Sequence, residues 1–307
     1  MDSIPEEDAR GSGEEAQGSE DENEDEDDLG VFDNDNIRAA LNQMNCRVAY
    51  VAYGVCAPSI TWPSGPTANI IQFPHLAPIM NCTTGEMIGC LKFVKDGVKE
   101  KEIEILQYFA GLPSEFNHCV RPFGIWPVTG GSIIAMLAAG NRLTSLTDLD
   151  IHLWSLTTQL FEAVKFMHAN NVAHMDLKPS NILIPSAYGR LTIVDFGLSL
   201  RLRNKNHLFQ GYAGTEGYIA PEVGKTKFSP IRADLWSIGK VVKELCMRCR
   251  PSASRDWLLV LSEQELLNDD PSKRPMMSEV LERMLKFDVQ PGGQLRYLVY
   301  SLFCSLY

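Results

Sequence analysis

The chain has 307 residues, 45% of them hydrophobic, enough to bury a sizeable core in about two structural units. The net charge of −11 is unevenly spread: residues 1–36 hold sixteen acidic groups and one arginine, a net of −15, which leaves the remainder at +4. That remainder has no basic run of the kind nucleic-acid binding needs, and no apolar run reaches the roughly 18–20 residues that cross a bilayer, so neither function is expected.

Residues 1–36 read as an acidic, disordered tail, because Glu, Asp, Ser and Gly bury too little apolar surface to offset the entropy of ordering. The N-terminus is acidic rather than basic and then apolar, so no signal peptide is expected. Eight cysteines follow at scattered positions. A reduced setting inside the cell, cytoplasm or nucleus, is the expectation. Cys246 and Cys249 form a C-x-x-C with no second pair nearby, at the end of an apolar helical run, which points to packing rather than zinc.

Residues 47–53 read as a strand, and residues 62–66, with two prolines and a glycine, as a loop. Residues 83–86 read as a hairpin turn leading into a strand over 87–94 that carries Cys90 and Lys92. A helix is expected over 98–110, with Ile103, Leu106 and Phe109 on one side. Two glutamates, Glu102 and Glu104, lie on this helix, and Glu104 projects about 160° away from the Ile103–Leu106 face. Two further strands are expected around Trp126-Pro127 and over 132–137. A long amphipathic helix over 149–169 has Leu153, Leu156, Leu160, Val164 and Met167 recurring at three and four.

The chemistry concentrates in residues 174–222. Asp176, Lys178 and Asn181 lie within six residues, and Asp195 follows on its own apolar strand. This is equipment for moving a phosphoryl group held by a divalent cation. Asp176 can accept a proton from an attacking hydroxyl, and Lys178 can offset charge on the group in flight. Asn181 and Asp195 supply hard oxygen ligands for Mg2+.

His174-Met175-Asp176-Leu177-Lys178-Pro179-Ser180-Asn181, then Asp195-Phe196-Gly197, then Gly214-Thr215-Glu216-Gly217-Tyr218-Ile219-Ala220-Pro221-Glu222 resemble the catalytic loop, the magnesium segment and the activation-segment end of a eukaryotic-type protein kinase domain, in its serine/threonine version. The resemblance runs over residues 84–287. It implies an α+β, two-lobed kinase-like fold, with a small strand-rich N-lobe over 37–137 and a larger helical C-lobe over 138–290. Residues 291–307 form an apolar tail that packs on the lobe or on a partner.

Residue by residue, the resemblance gives Lys92 the grip on the nucleotide phosphates, steadied by Glu102. Cys90 would roof the adenine, Met136 and Ala139 would line its inter-lobe edge, and Leu183 would floor it. His174 would pack on Phe196 rather than act as a base. Gly197 completes the magnesium segment, and Thr215 would bond near Asp176 and Lys178. Glu222 would pair with Arg274, and Asp234 would hold the catalytic-loop backbone. The implied cofactors are ATP and Mg2+, and the implied partner is a protein bearing serine or threonine hydroxyls.

Three departures motivate a second reading, a pseudokinase acting as a binding scaffold. Residues 71–78 hold no glycine where a phosphate-cradling loop is expected, and they hold two prolines. Met175 stands where many relatives have an arginine that pairs with a phosphorylated loop, so activity independent of such a phosphosite is expected. Only 34 residues separate Gly239 from Arg274, so one C-lobe helix is expected to be lost or shortened. A third reading, small-molecule phosphotransfer, comes last, because residues 214–222 resemble the peptide platform of protein kinases. The short lobes and acidic leader resemble the divergent kinase-like proteins of fungi.

Overall fold

The computed structural model of the chain describes residues 32, 34–48, 76–97, 100–137, 140–143, 146, 149–184 and 189–288. Strands β1 (Cys46–Val48), β2 (Leu76–Asn81), β3 (Met87–Lys95), β4 (Pro122–Val128) and β5 (Gly131–Met136) form an antiparallel sheet in the order β1-β2-β3-β5-β4. Side chains alternate across a strand, and that alternation assigns the two faces. Leu91, Phe93, Ile133 and Ala135 point to one side, where they meet Ile37 and Leu41 of helix α1 (Asp35–Gln43) and the buried Phe32. Val94, Ile134 and Met136 point to the other, against Ile105, Leu106 and Phe109 of helix α2 (Glu100–Ala110). Lys92 lies between Leu91 and Phe93, so the pleat delivers its amine to the α2 face.

Helix α1 differs from the expected tail. Asn34 caps it, its side-chain oxygen accepting hydrogen bonds from the amides of Asn36 at 3.0 Å and Ile37 at 3.4 Å. The ordered body therefore takes in Phe32 and Asn34–Asn36, on the acidic side of a boundary at residue 36. Residues 76–78, expected in a loop, belong to β2 instead, with Pro78 opposite Cys90. Pro127 sits on β4, at the sheet's edge. The hairpin turn over 82–86 has Gly85 at φ +69°, where a side chain would be strained.

Helix α3 (Leu149–Ala169) has the bounds its periodicity predicts, and thirteen of its 21 residues are buried, which makes it the centre of the helical lobe. Around it stand α4 (Pro230–Met247), α5 (Ala253–Val260) and α6 (Met277–Asp288). Trp154 of α3, Trp257 of α5 and Phe287 of α6 stack at centroid distances of 5.1–5.8 Å.

Between α4 and Arg274 the chain forms only α5, a π-helical turn over Leu261–Leu266 and a 3-10 turn over Pro271–Lys273. The π turn presses so closely on α4 that a Cβ on Gly239 would lie 2.9 Å from the Leu266 Cβ. A groove of about 510 Å³ opens at the C-terminal half of α4, lined by Pro179, Gly217, Tyr218 and Met247 among others. Cys246 and Cys249 are buried at the end of α4, and burial pushes the Cys246 thiol up to about 12.

Two small sheets frame the loop over residues 174–181. Strands β6 (Asn141–Arg142), β8 (Ile182–Ile184) and β9 (Thr192–Ile193) form one, and β7 (Val172–Ala173) pairs with β10 (Leu200–Arg201) in the other. The expectations placed on residues 1–31, 49–75, 139 and 291–307 fall outside the described residues.

Candidate active site

Lys92 is 8% exposed, and its Nζ donates to Glu102 Oε1 at 2.7 Å and to Asp195 Oδ1 at 2.9 Å. Burial alone would push the Lys92 pKa down. The two carboxylates more than offset it and hold the amine above its ordinary value. Burial likewise pushes Asp195 up, and Lys92 reverses the sign and holds the carboxyl below its usual range. Glu104, two residues along α2, is exposed and takes no part. Glu102 is 1% exposed, and its Oε2 is buried with no hydrogen-bond partner among the described residues. Cys90 and Met136 lie opposite each other across β3 and β5 on the face that carries Lys92. Burial pushes the Cys90 thiol up to about 11. A Cβ on Gly89 would strike the Met136 carbonyl, so glycine alone fits there. Leu183 is half-buried on β8, opposite Arg142.

The second cluster is built on Asp234, fully buried in the second turn of α4. Its Oδ2 accepts from the His174 amide at 2.7 Å and faces His168 Nε2 at 2.9 Å, while its Oδ1 accepts from the Met175 amide at 2.8 Å. Met175 is held at φ +65°. That conformation is costly for a long side chain, and the two amide bonds to Asp234 fix it. The turn throws the next residue, Asp176, toward Lys178, Asn181 and Thr215. Asp176 Oδ1 accepts from the Thr215 hydroxyl at 2.6 Å, and Oδ2 lies 2.8 Å from Lys178 Nζ and 3.1 Å from Asn181 Nδ2. Lys178 Nζ also donates to Thr215 Oγ1 at 2.6 Å. Asn181 Nδ2 donates to the Asp176 carbonyl as well, at 2.9 Å, which spends the amide nitrogen and leaves the amide oxygen as a hard donor.

His174 is fully buried, 4.9 Å from the Phe196 ring between centroids. Its Nδ1 accepts from the Asp176 amide at 3.2 Å, so its Nε2–H donates to the Val194 carbonyl at 3.1 Å. Both ring nitrogens are spent, and burial holds the imidazole neutral. Phe196 also meets Phe109 of α2, edge to face at 5.7 Å. Asp195 itself stands at φ +65° just before Phe196 and Gly197.

The segment from Asp195 to Glu222 is anchored at its far end. Glu222 receives both terminal nitrogens of Arg274, at 2.6 and 2.9 Å. Arg274 is 1% exposed and also donates to the Asn268 and Arg232 carbonyls. Met175 lies not among charges but in an apolar cluster with Ala173, Leu202, Val223, Phe228 and Ile231. Sequence reasoning missed His168, which steadies Asp234, and Ser199, whose hydroxyl donates to the His174 carbonyl at 3.1 Å. Both contacts join residues far apart in the chain, and no local pattern announces them.

Lys92, Glu102, Asp176, Lys178, Asn181, Asp195 and Thr215 are thus joined in two networks, one tying Lys92 and Glu102 of the sheet lobe to Asp195 of the helical lobe, the other set wholly within the helical lobe. Among the described residues no group of three or more His, Cys, Asp or Glu side chains could enclose a metal. The free amide oxygen of Asn181 and the half-exposed carboxylate of Asp195 suit a hard cation that takes its other ligands from phosphate and water.

The chain is similar to three curated proteins with kinase names. Calcium-dependent protein kinase 6 of Plasmodium berghei is 36% identical over 206 residues, which cover 64% of this chain and 13% of that protein. The cell cycle serine/threonine-protein kinase CDC5/MSD2 of Saccharomyces cerevisiae is 31% identical over 176 residues, 50% of this chain and 24% of that one. CBL-interacting protein kinase 16 of Oryza sativa subsp. japonica is 43% identical over 117 residues, 37% of this chain and 24% of that one. The matches thus span less than a quarter of each relative's length. The family model described as "Protein kinase domain" matches residues 128–286, a little over half of the chain. Lys92 and Glu102 precede that span, so their place in the site rests on the geometry above. With its fold, its paired networks and this match, the chain belongs to the protein kinase domain family.

Proposed function

We propose that the chain transfers the γ-phosphoryl group of Mg2+–ATP to serine or threonine hydroxyls of a protein. The observation that carries this is the convergence of Glu102 and Asp195 on one Lys92 amine, beside an Asp176 carboxylate held by Lys178, Thr215 and Asn181. In this reading Lys92 fixes the nucleotide phosphates, and Glu102 and Asp195 fix Lys92. Asp176 orients the substrate hydroxyl and takes its proton, while Lys178 offsets charge on the group in transfer. Asn181 and Asp195 would hold Mg2+, which neutralises phosphate charge when bound. Thr215 ties the base to the activation segment, so the peptide platform and the base are set together. Met175 sits in an apolar cluster, so transfer should not require a phosphorylated loop residue.

One observation favours the scaffold reading. Leu76 pairs with Lys92, and the five residues that precede Leu76 in sequence, 71–75, contain a proline and no glycine. The experiment that decides is phosphotransfer from Mg2+–ATP to a serine/threonine peptide library, with Asp176→Asn as control. We expect transfer by the wild-type chain and a loss of about a thousandfold in the variant, in the range of general-base removal. Equal signal from the two proteins would overturn the enzymatic reading.

A further inference from the structure

Arg201 and Tyr108 come from opposite lobes. Arg201 is on β10, six residues after Asp195, and Tyr108 is on α2, six residues after Glu102. The Arg201 guanidinium carbon lies 4.0 Å from the centre of the Tyr108 ring, within cation–π range. The two residues they follow, Asp195 and Glu102, share Lys92 Nζ. The contacts therefore close a ring: Lys92 to Glu102, along α2 to Tyr108, across to Arg201, back along the chain to Asp195 and to Lys92 again.

Arg201 is a fixed end of that ring. Its strand pairs with β7, Arg201 opposite Val172, and the next amide, Leu202, donates to the Asn171 carbonyl at 2.7 Å. Tyr108 is fixed as well. Its ring packs on Phe109, and its hydroxyl reaches Asn170 Oδ1 at 3.5 Å, a long contact that adds direction more than strength. Residue 175, which precedes the base, is a methionine and brings no cation to this region.

We propose that Arg201 is a positioning residue, whose stacking on Tyr108 ties α2 to the activation segment and keeps Glu102 and Asp195 together on Lys92 without a phosphate. The consequence for transfer rests on the kinase reading above, but the geometric claim does not.

The test is acylation of Lys92 by an N-hydroxysuccinimide ester in the nucleotide-free full chain, followed by mass spectrometry. Arg201→Gln and Tyr108→Leu should each label Lys92 about three- to fivefold faster, the factor that corresponds to an exposed cation–π contact. Arg201→Lys and Tyr108→Phe keep a cation and a ring and should label at the wild-type rate. Removing a nearby cation favours the protonated amine and slows acylation, so acceleration reports a loosened grip rather than a changed field. In a Glu102→Gln background, Arg201→Gln should add nothing, whereas a general loosening of the fold would add in both backgrounds. An unchanged rate in a folded Arg201→Gln protein overturns the inference. In transfer assays the same variant should raise the KM for Mg2+–ATP by the same factor and leave the peptide KM unchanged. A wild-type chain that transfers no phosphate defeats the kinase reading alone, and the labelling then judges the contact by itself.

Discussion

Glu222–Arg274 and Glu102–Lys92 are both buried ion pairs, yet they are finished differently. In the first, both carboxylate oxygens are taken, and all three guanidinium nitrogens have acceptors among Glu222, Asn268 and Arg232. In the second, Glu102 Oε2 is buried and unspent, and the lysine is shared with a half-exposed Asp195. A pair whose hydrogen bonds are closed can only hold the chain in place. A pair with an acceptor left over, next to a carboxylate that solvent reaches, suits the nucleotide site proposed above. Burial costs both pairs in desolvation, so the difference lies in what the remaining valences face.

Breaking each pair should separate the two roles. Glu222→Ala strands a buried guanidinium and should cost about 3–5 kcal/mol of stability, read by urea or thermal unfolding. If it costs less than about 1 kcal/mol, the anchor is not where the stability lies. Lys92→Met strands the buried Glu102 carboxylate in the same way and should also cost about 3–5 kcal/mol. Unlike Glu222→Ala, it should in addition lose the stabilisation that Mg2+–ATP gives, about 2.7 kcal/mol at a hundred times the dissociation constant. A variant that keeps the nucleotide shift would move the phosphate grip away from Lys92.

Acid supplies a control that neither pair should influence. His118 is 5% exposed, and burial holds its pKa down at about 4, with Nδ1 against the Leu191 carbonyl at 2.9 Å. The unfolded chain takes up this proton first, near pH 6.5, so stability is full above that value and declines as pH falls toward 4. About 2 kcal/mol should be lost between pH 7 and pH 5 from this residue, with His174 adding in the same direction. Unfolding curves at the two pH values should show the same loss in the wild type and in both pair variants, and a smaller one in His118→Gln. The smallest effect concerns Thr215, which bridges Lys178 and Asp176. Thr215→Val should slow transfer about tenfold, equivalent to roughly 1–1.5 kcal/mol for a hydrogen-bonded bridge, and Thr215→Ser should restore it.

Much of this arrangement is legible without coordinates where the information is local. Helix α3 declares itself through apolar residues at three and four, and the catalytic loop through residue types within six positions. Helix α1 was hidden by its surroundings. Only Ile37 and Leu41 are buried along it, one turn apart, and the Asn34 cap sits in a run of acids that reads as solvated tail. The start of β2 was hidden by Pro78, which favours a loop reading, although Ala77 and Ile79 alternate with it as a buried face should. Arg201 could not be assigned at all, because its partner lies 93 positions away in the other lobe and a single arginine carries no period.

The bonds from the His174 and Met175 amides to Asp234 span 60 and 59 residues. The left-handed turn that aims Asp176 therefore has nothing to hold it until α4 exists and has docked. A ribosome that has released residues 149–220 has released nearly every polar group of the site, but not the carboxylate that gives the loop its shape. Contacts at such separation form late, after the loop-closure entropy has been met by the packing of α4. In a nascent chain, competence should arrive in one step with the helical lobe and not grow by degrees.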